Sequence, residues 1–97
     1  MIKKKLMVRS EQGLHARPAD LFVRTANRFE SEITVSNLTS GSGPVNAKSI
    51  LRVLALGVYK DHRIELSVEG NDEQEAAAAI CRLIETNFKN HQKKEAA

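Results

Sequence analysis

Apolar residues recur with two different periods along this 97-residue chain, and the order of these periods restricts the fold. Alternating apolar and polar residues are typical of half-buried strands, whereas apolar spacings of three and four are typical of helices that face a core. From the first residue onward, the periods predict strand, helix, strand, strand, helix, strand and helix. Because all three helices need a common core, we predict an α+β fold in which a four-stranded antiparallel sheet is covered on one face by three helices (βαββαβα).

Alternation predicts strands at residues 2–10, 32–36 and 63–69, and a short strand at residues 44–47. Pro44 has no amide to donate, which favours the edge of the sheet for that short strand. The polar, glycine-containing residues 37–44 predict a flexible hairpin loop.

Helical spacing is clearest after residue 18, where the apolar stripe consists of Ala19, Phe22, Val23, Ala26 and Phe29. A second, two-turn helix is predicted between Ser49 as N-cap and Gly57 as stop. A third is predicted to begin after Asn71 or Asp72 and to continue at helical spacing to Phe88.

Composition indicates one soluble domain, residues 1–89, followed by a frayed tail, residues 90–97. The net charge of +3 comes from lysines near both ends, and with only three Phe, one Tyr and no Trp the chain lacks the aromatic and basic stripe of a nucleic-acid binder. No apolar run is long enough for a signal peptide or a membrane span. Cys81 has no second cysteine and no metal-ligand neighbour, so we expect a packing role, a reducing cytoplasm, and neither metal nor cofactor. His62 and His91 have no suggestive partners and are predicted to face solvent.

Residues 13–18 (GLHARP) carry the chemistry. Pro18 suits a first helical turn, so the helix is predicted to begin near Ala16 or Arg17, with His15 at its N-terminus. The amides of that turn, including Ala16, and the Arg17 guanidinium would together favour an anion on or beside the imidazole. The alternative is that His15 only caps the helix or lies on the surface.

An apolar surface is predicted around His15. Two turns of helix cannot bury all the aliphatic residues of 50–56, so Val53 and Leu56 are expected to face the core while some of Ile50, Leu51 and Leu54 stay exposed. Leu21 lies off the first helical stripe and is a candidate for the same surface. The alternatives are a fully sandwiched second helix and an isolated surface Leu21.

The segments GLHARPA and VNAKSI, with LALG behind the second, resemble HPr, the histidine-containing phosphocarrier family of the bacterial phosphoenolpyruvate-dependent sugar phosphotransferase system. The resemblance covers about the first ninety residues and implies the open-faced β-sandwich. It also implies that His15 accepts a phosphoryl group on Nδ1 from phosphorylated enzyme I and passes it to a sugar-specific enzyme IIA, while Arg17 steadies the phosphate. The protein would be a monomer and no enzyme by itself. The hairpin loop and the tail are longer than is usual in the family.

The resemblance further implies a docking surface on the helix after Ser49. Its apolar part would be Leu21, Ile50, Leu51 and Leu54, and basic side chains would steer acidic partners: Arg24, Lys48 and Arg52. Arg52 stands where many relatives have a small residue, which affects partner preference.

Ser49 matches a serine that a dedicated kinase phosphorylates in many Gram-positive relatives. A phosphate there would place about two negative charges in the docking surface. The partners would then include an HPr serine kinase/phosphorylase and a catabolite-control transcription factor. The alternative is that Ser49 only caps its helix. Two other roles stay open: a nitrogen-related phosphocarrier, and a regulatory module that binds transcription factors or enzymes.

Overall fold

The computed structural model describes residues 1–89; residues 90–97, which include the predicted tail and His91, lie outside the described part. The order of elements is the predicted βαββαβα: β1 (Ile2–Val8), α1 (Ala16–Asn27), β2 (Glu32–Asn37), β3 (Ser42–Asn46), α2 (Ile50–Ala55), β4 (His62–Glu69) and α3 (Glu73–Glu85). No helix within residues 1–89 is long and apolar enough to cross a bilayer.

The four strands form one antiparallel sheet in the order β1, β4, β2, β3. Ile2 of β1 and Ile33 of β2 both lie opposite Val68 of β4, one on each side. β4 is therefore an inner strand, which agrees with its unbroken alternation. β3 lies at the edge, as Pro44 predicts, because an edge strand can leave one row of amide positions unpaired.

The core lies between the sheet and the helices. On α1, four of the five predicted stripe residues are buried, and Phe29 packs half-buried against them. Inward residues of β2 and β4 complete this core; fully buried examples are Ile33, Val35, Ile64 and Leu66. The same cluster includes Leu14, so one core supports both α1 and the loop before it.

The prediction that the third helix continues to Phe88 is wrong, since α3 ends at Glu85. Asn87 adopts a left-handed backbone (φ 57°), its amide donates to the Ile84 carbonyl over 3.0 Å, and the Phe88 amide donates to the Leu83 carbonyl over 2.8 Å. This pair of bonds is a Schellman cap, which ends a helix and turns the next apolar side chain inward. Phe88 is accordingly 5% exposed.

Asp72 lies at the start of α3 as predicted, but its side chain does not cap that helix. Its carboxylate accepts hydrogen bonds from the Glu30 amide (2.9 Å) and from the Ser31 amide and hydroxyl (3.0 and 2.5 Å). The Ser31 hydroxyl, followed by the Glu30 amide, lowers the pKa of Asp72. Asp72 therefore joins the chain between α1 and β2 to the beginning of α3.

Candidate functional site

His15 is the residue immediately before α1, and its ring is partly exposed. His15 occupies the N-cap position with an extended backbone (φ −132°, ψ 166°), but its side chain makes no capping hydrogen bond, so the imidazole does not serve as a cap. Nδ1 lies 3.3 Å from the Gln12 carbonyl oxygen, at the long end for a hydrogen bond. The imidazole is thus available to a second molecule.

The backbone turns sharply on both sides of His15. Ala16, the first residue of α1, has φ 54°, in the left-handed region that residues with a side chain seldom occupy. Gly13 has φ 62°, and a Cβ added there would lie 2.1 Å from the Val58 carbonyl oxygen. Gly13 is therefore required both by its conformation and by the close approach of residues 58–59.

Arg17 is the second residue of α1 and is exposed. It lines an open hollow of about 310 Å³ together with residues of the preceding loop, including Ser10 and Gln12, and of the α3 cap, Asn87 and Phe88. The first turn of a helix has amides without an acceptor inside the helix, and it carries the positive end of the helix dipole. A guanidinium and such amides together suit a phosphoryl group.

Leu21 was predicted to be part of an exposed partner surface, and this is wrong, since Leu21 is only 5% exposed. It belongs to the core cluster and lines the same hollow as Phe88, which the α3 cap turns inward. The helical spacing of α1 alone could not show that a residue beyond the end of α3 covers this side.

The helix α2 divides as predicted into a core face and an exposed face. Val53 and Leu56 are buried, whereas Ile50 is 40% and Leu51 is 76% exposed. Leu54 is half-buried against the core. The alternative of a fully sandwiched helix is therefore wrong. Within residues 1–89, Ile50 and Leu51 are two of five large hydrophobic residues that are exposed.

Ser49 caps α2 as predicted, although the bond from the Arg52 amide to its hydroxyl is long at 3.4 Å. Gly57, with φ 68°, follows the end of the helix. Ser49 is partly exposed, so its hydroxyl can be reached by another protein.

The three predicted steering cations differ in their surroundings. Arg52 is exposed, and the Arg24 guanidinium bonds both carboxylate oxygens of Asp20 over 3.0 Å. The Lys48 ammonium donates to the Phe29 carbonyl over 2.6 Å, which ties it to the residues that follow α1. Lys48 is thus engaged within the protein but keeps its positive charge, whereas the charge of Arg24 is offset by the Asp20 carboxylate.

Sequence reasoning missed Tyr59. Its ring stacks on His15, with centroids 5.2 Å apart and planes inclined by 22°. The prediction that His62 simply faces solvent is also wrong, because its Nδ1 accepts from the Tyr59 amide over 3.2 Å and its ring meets Tyr59 edge-on. Residues 15 and 59 are far apart in sequence, so no local pattern could have joined them.

Cys81 is partly buried, in agreement with a packing role, and burial raises the pKa of its thiol. Within residues 1–89, no three His, Cys, Asp or Glu side chains are grouped as metal ligands.

Residues 2–86 match the family model described as the PTS HPr component phosphorylation site. The phosphocarrier protein HPr of Treponema pallidum is 43% identical over 88 residues, which cover 91% of this chain and 97% of that protein. The HPr-like protein Crh of Halalkalibacterium halodurans is 46% identical over 85 residues, or 88% of this chain and 98% of that protein.

The multiphosphoryl transfer protein of Salmonella typhimurium is 44% identical over 80 residues, which make up 82% of this chain but only 21% of that protein. This chain thus spans about a fifth of the length of such relatives. Among solved structures, the crystal structure of HPr-C-His from Thermoanaerobacter tengcongensis superposes with a TM-score of 0.85 at 44% identity, covering 91% of this chain and 96% of that one. Family model, relatives and fold agree, and the chain belongs to the HPr phosphocarrier family of the bacterial phosphotransferase system.

Proposed function

We propose that this protein accepts a phosphoryl group on His15 from phosphorylated enzyme I and passes it to a sugar-specific enzyme IIA. The observation that carries the proposal is the position of a partly exposed imidazole directly before the first turn of α1, with exposed Arg17 two residues later. The imidazole makes no hydrogen bond that caps the helix. Membership of the HPr family supports it. On this proposal the protein is a cytoplasmic carrier that acts only with partner phosphotransferases.

The transfer needs one unprotonated ring nitrogen in the plane of the imidazole. For attack by Nδ1, the long contact with the Gln12 carbonyl must open and the ring proton must lie on Nε2. The Nδ1 lone pair then forms a bond to phosphorus while the bond to the donor nitrogen breaks and its electron pair returns to the donor. First-turn amides and the Arg17 guanidinium would balance the negative oxygens during the step.

Moderate stabilisation suits a carrier. The phosphoryl group must survive between two encounters and still leave for the second partner. Arg17 is exposed, so its interaction with phosphate is weakened by water and salt. A buried clamp would hold the phosphate more tightly and slow its onward transfer.

The exposed face of α2 would be the docking surface. Ile50 and Leu51 offer a small apolar patch to a transient partner, with half-buried Leu54 behind them. Exposed Arg52 would attract acidic partner surfaces, and Arg24 would do so less strongly because Asp20 offsets its charge. Leu21 is excluded from this surface by its burial.

The test is incubation with enzyme I and phosphoenolpyruvate, followed by intact mass and site mapping. The wild-type protein should gain one acid-labile phosphate on His15, and His15→Ala should gain none. Because the His15 side chain makes no capping bond, the variant should keep its circular dichroism spectrum. His91→Ala serves as the matched histidine control and should still be labelled. Labelling of folded His15→Ala would contradict the proposal.

A regulatory role is the second candidate, favoured by similarity to Crh and by the partly exposed Ser49 beside the docking surface. In this role Ser49 would be phosphorylated by an HPr serine kinase/phosphorylase, and the modified chain would bind a catabolite-control transcription factor. His15 and Ser49 precede different helices, so one chain can carry both sites, and a phosphate on Ser49 would regulate the phosphorylation of His15.

A further inference from the structure

Tyr59 covers one side of the His15 ring although it contributes little to the core. The tyrosine is 60% exposed, and its ring lies in an offset stack on the imidazole with centroids 5.2 Å apart. Aromatic pairs favour such offset geometry over face-to-face alignment. Because the ring is so exposed, core packing alone does not explain its position.

Three contacts hold the loop before α1 against the segment that carries Tyr59. The Leu14 amide donates to the Val58 carbonyl over 2.9 Å, and Gly13 lets these two backbones approach closely. The Lys60 ammonium also pairs with the Glu11 carboxylate over 3.1 Å. The residues on both sides of Tyr59 are therefore bonded to the loop that presents His15.

The orientation of Tyr59 is set from its other side by His62 and Asn37. Asn37 is fully buried, and its Oδ1 accepts from the Thr39 and Ser40 amides, so its Nδ2 must be the group that faces His62. Nδ1 of His62 then accepts from both Asn37 Nδ2 and the Tyr59 amide, each over 3.2 Å. These bonds assign the ring proton of His62 to Nε2.

The rings form a continuous series. The rings of His62 and Tyr59 form a T-shaped pair inclined by 87° with centroids 5.7 Å apart, and Tyr59 in turn stacks on His15. The Asn37 amide thus holds the His62 ring, His62 holds Tyr59, and the Tyr59 ring stacks on His15.

We propose that Tyr59, held by His62, is a positioning residue that fixes the plane of the His15 imidazole for phosphoryl transfer. This inference rests on the proposed function and deepens it. The lone pair of the unprotonated nitrogen lies in the ring plane, so holding that plane aims the attacking nitrogen at the incoming phosphorus. Small errors in the alignment of reacting groups slow transfer.

The first experiment observes His15 without any phosphorylation. The imidazole C–H resonances of His15 are recorded by NMR in the wild-type protein, Tyr59→Leu, Tyr59→Phe and, as a surface control, Leu38→Ala. Tyr59→Leu should shift the His15 resonances because the ring current of Tyr59 is lost, whereas Tyr59→Phe and Leu38→Ala should leave them near the wild-type positions. Unchanged His15 resonances in folded Tyr59→Leu would overturn the inference.

The second experiment measures transfer with two donors, phosphorylated enzyme I and phosphoramidate, a small-molecule phosphoryl donor. Tyr59→Leu should lower the rate with either donor by about two- to tenfold, the range expected from one aromatic pair, and Tyr59→Phe should restore it. A rate loss confined to enzyme I would mean that Tyr59 contacts the partner, which would overturn a positioning role.

The role of His62 is tested by comparing the effect of His62→Phe in the wild-type protein with its effect in Tyr59→Leu. His62→Phe keeps a ring edge but removes the acceptor for the Tyr59 amide, so it should shift the His15 resonances in the same direction as Tyr59→Leu. His62→Asn supplies an acceptor oxygen and should restore the wild-type His15 resonances.

If His62 acts through Tyr59, His62→Phe should slow transfer in the wild-type background and add nothing to Tyr59→Leu. Additive losses would overturn the link.

These measurements test the proposed function and the positioning role of Tyr59 separately. If enzyme I fails to phosphorylate wild-type protein while Tyr59→Leu still shifts the His15 resonances and slows labelling by phosphoramidate, the proposed partner is wrong and the positioning role stands. If enzyme I phosphorylates all variants alike, the proposed function stands and the positioning role is wrong.

Discussion

At the scale of single residues, the strained backbone of Ala16 separates the two side chains that would handle the phosphoryl group. A left-handed conformation at a residue with a side chain costs of order 1–3 kcal/mol and persists only where the surroundings enforce it. Here α1 on one side and the close-packed loop at Gly13 on the other enforce it. This strained conformation lets the His15 side chain face outward at the N-terminus of α1.

Arg17 gives the prediction that belongs to this scale. Arg17→Ala should reduce kcat/KM for phosphorylation by enzyme I by about tenfold, as expected for the loss of one charge-assisted hydrogen bond at an exposed site. Steady-state transfer kinetics at fixed ionic strength measure the effect. Arg82→Ala, which removes an exposed arginine from α3, is the matched control and should transfer at the wild-type rate. Equal rates for Arg17→Ala and Arg82→Ala would remove Arg17 from the site.

At the scale of elements, the brevity of α2 explains its exposed face. Its six residues make fewer than two turns between the Ser49 cap and Gly57, so only Val53 and the following Leu56 are buried. Ile50 and Leu51 then remain outside, next to the hydroxyl that caps the helix. The apolar patch and the serine proposed for phosphorylation thereby lie side by side at one short helix.

Ser49→Asp should slow phosphorylation of His15 by enzyme I by at least about fivefold, because like charges across a docking surface cost of order 1 kcal/mol or more. The variant should stay folded, since Asp also caps helices.

Ser49→Ala should transfer normally while losing about 0.5–1 kcal/mol of stability. Gln74→Glu, which adds the same charge on α3, is the control for net charge. Normal transfer by Ser49→Asp would argue against this form of regulation.

At the scale of the whole molecule, Asp72 extends the pairing of β2 with β4 to the turn that precedes β2. It binds the turn between α1 and β2 from the beginning of α3. Its pKa is lowered, chiefly by the Ser31 hydroxyl, so the carboxylate stabilises the folded state above the ordinary pKa of Asp, near 4. This contribution is lost as the pH falls through the lower pKa of the folded state.

Asp72→Asn should therefore lower Tm at pH 7, and the difference from wild type should shrink as the pH falls below about 4. Thermal unfolding followed by circular dichroism between pH 2.5 and 7 measures both effects. Asp20→Asn, on the exposed face of α1, serves as the matched control and should change Tm less at pH 7. A Tm difference that stays constant across this range would show that the lowered pKa of Asp72 does not contribute to stability.

Local periodicity and capping residues were sufficient to predict the seven elements, the edge position of β3 and the start of α1. They failed at Phe88, because a Schellman cap depends on backbone conformation that helical spacing does not reveal. They also failed at Leu21, which is buried in the core cluster that includes Phe88.

The order of helices and strands, the family, and His15 and Arg17 as candidate site residues could all be predicted from the sequence, since each depends on short stretches of neighbouring residues. The burial of Leu21, the bond from Lys48 to the Phe29 carbonyl and the stacking of Tyr59 on His15 were visible only in the folded chain. Each of those facts joins residues that are distant along the chain. Their contacts arise when the helices pack on the sheet, and no local pattern encodes them.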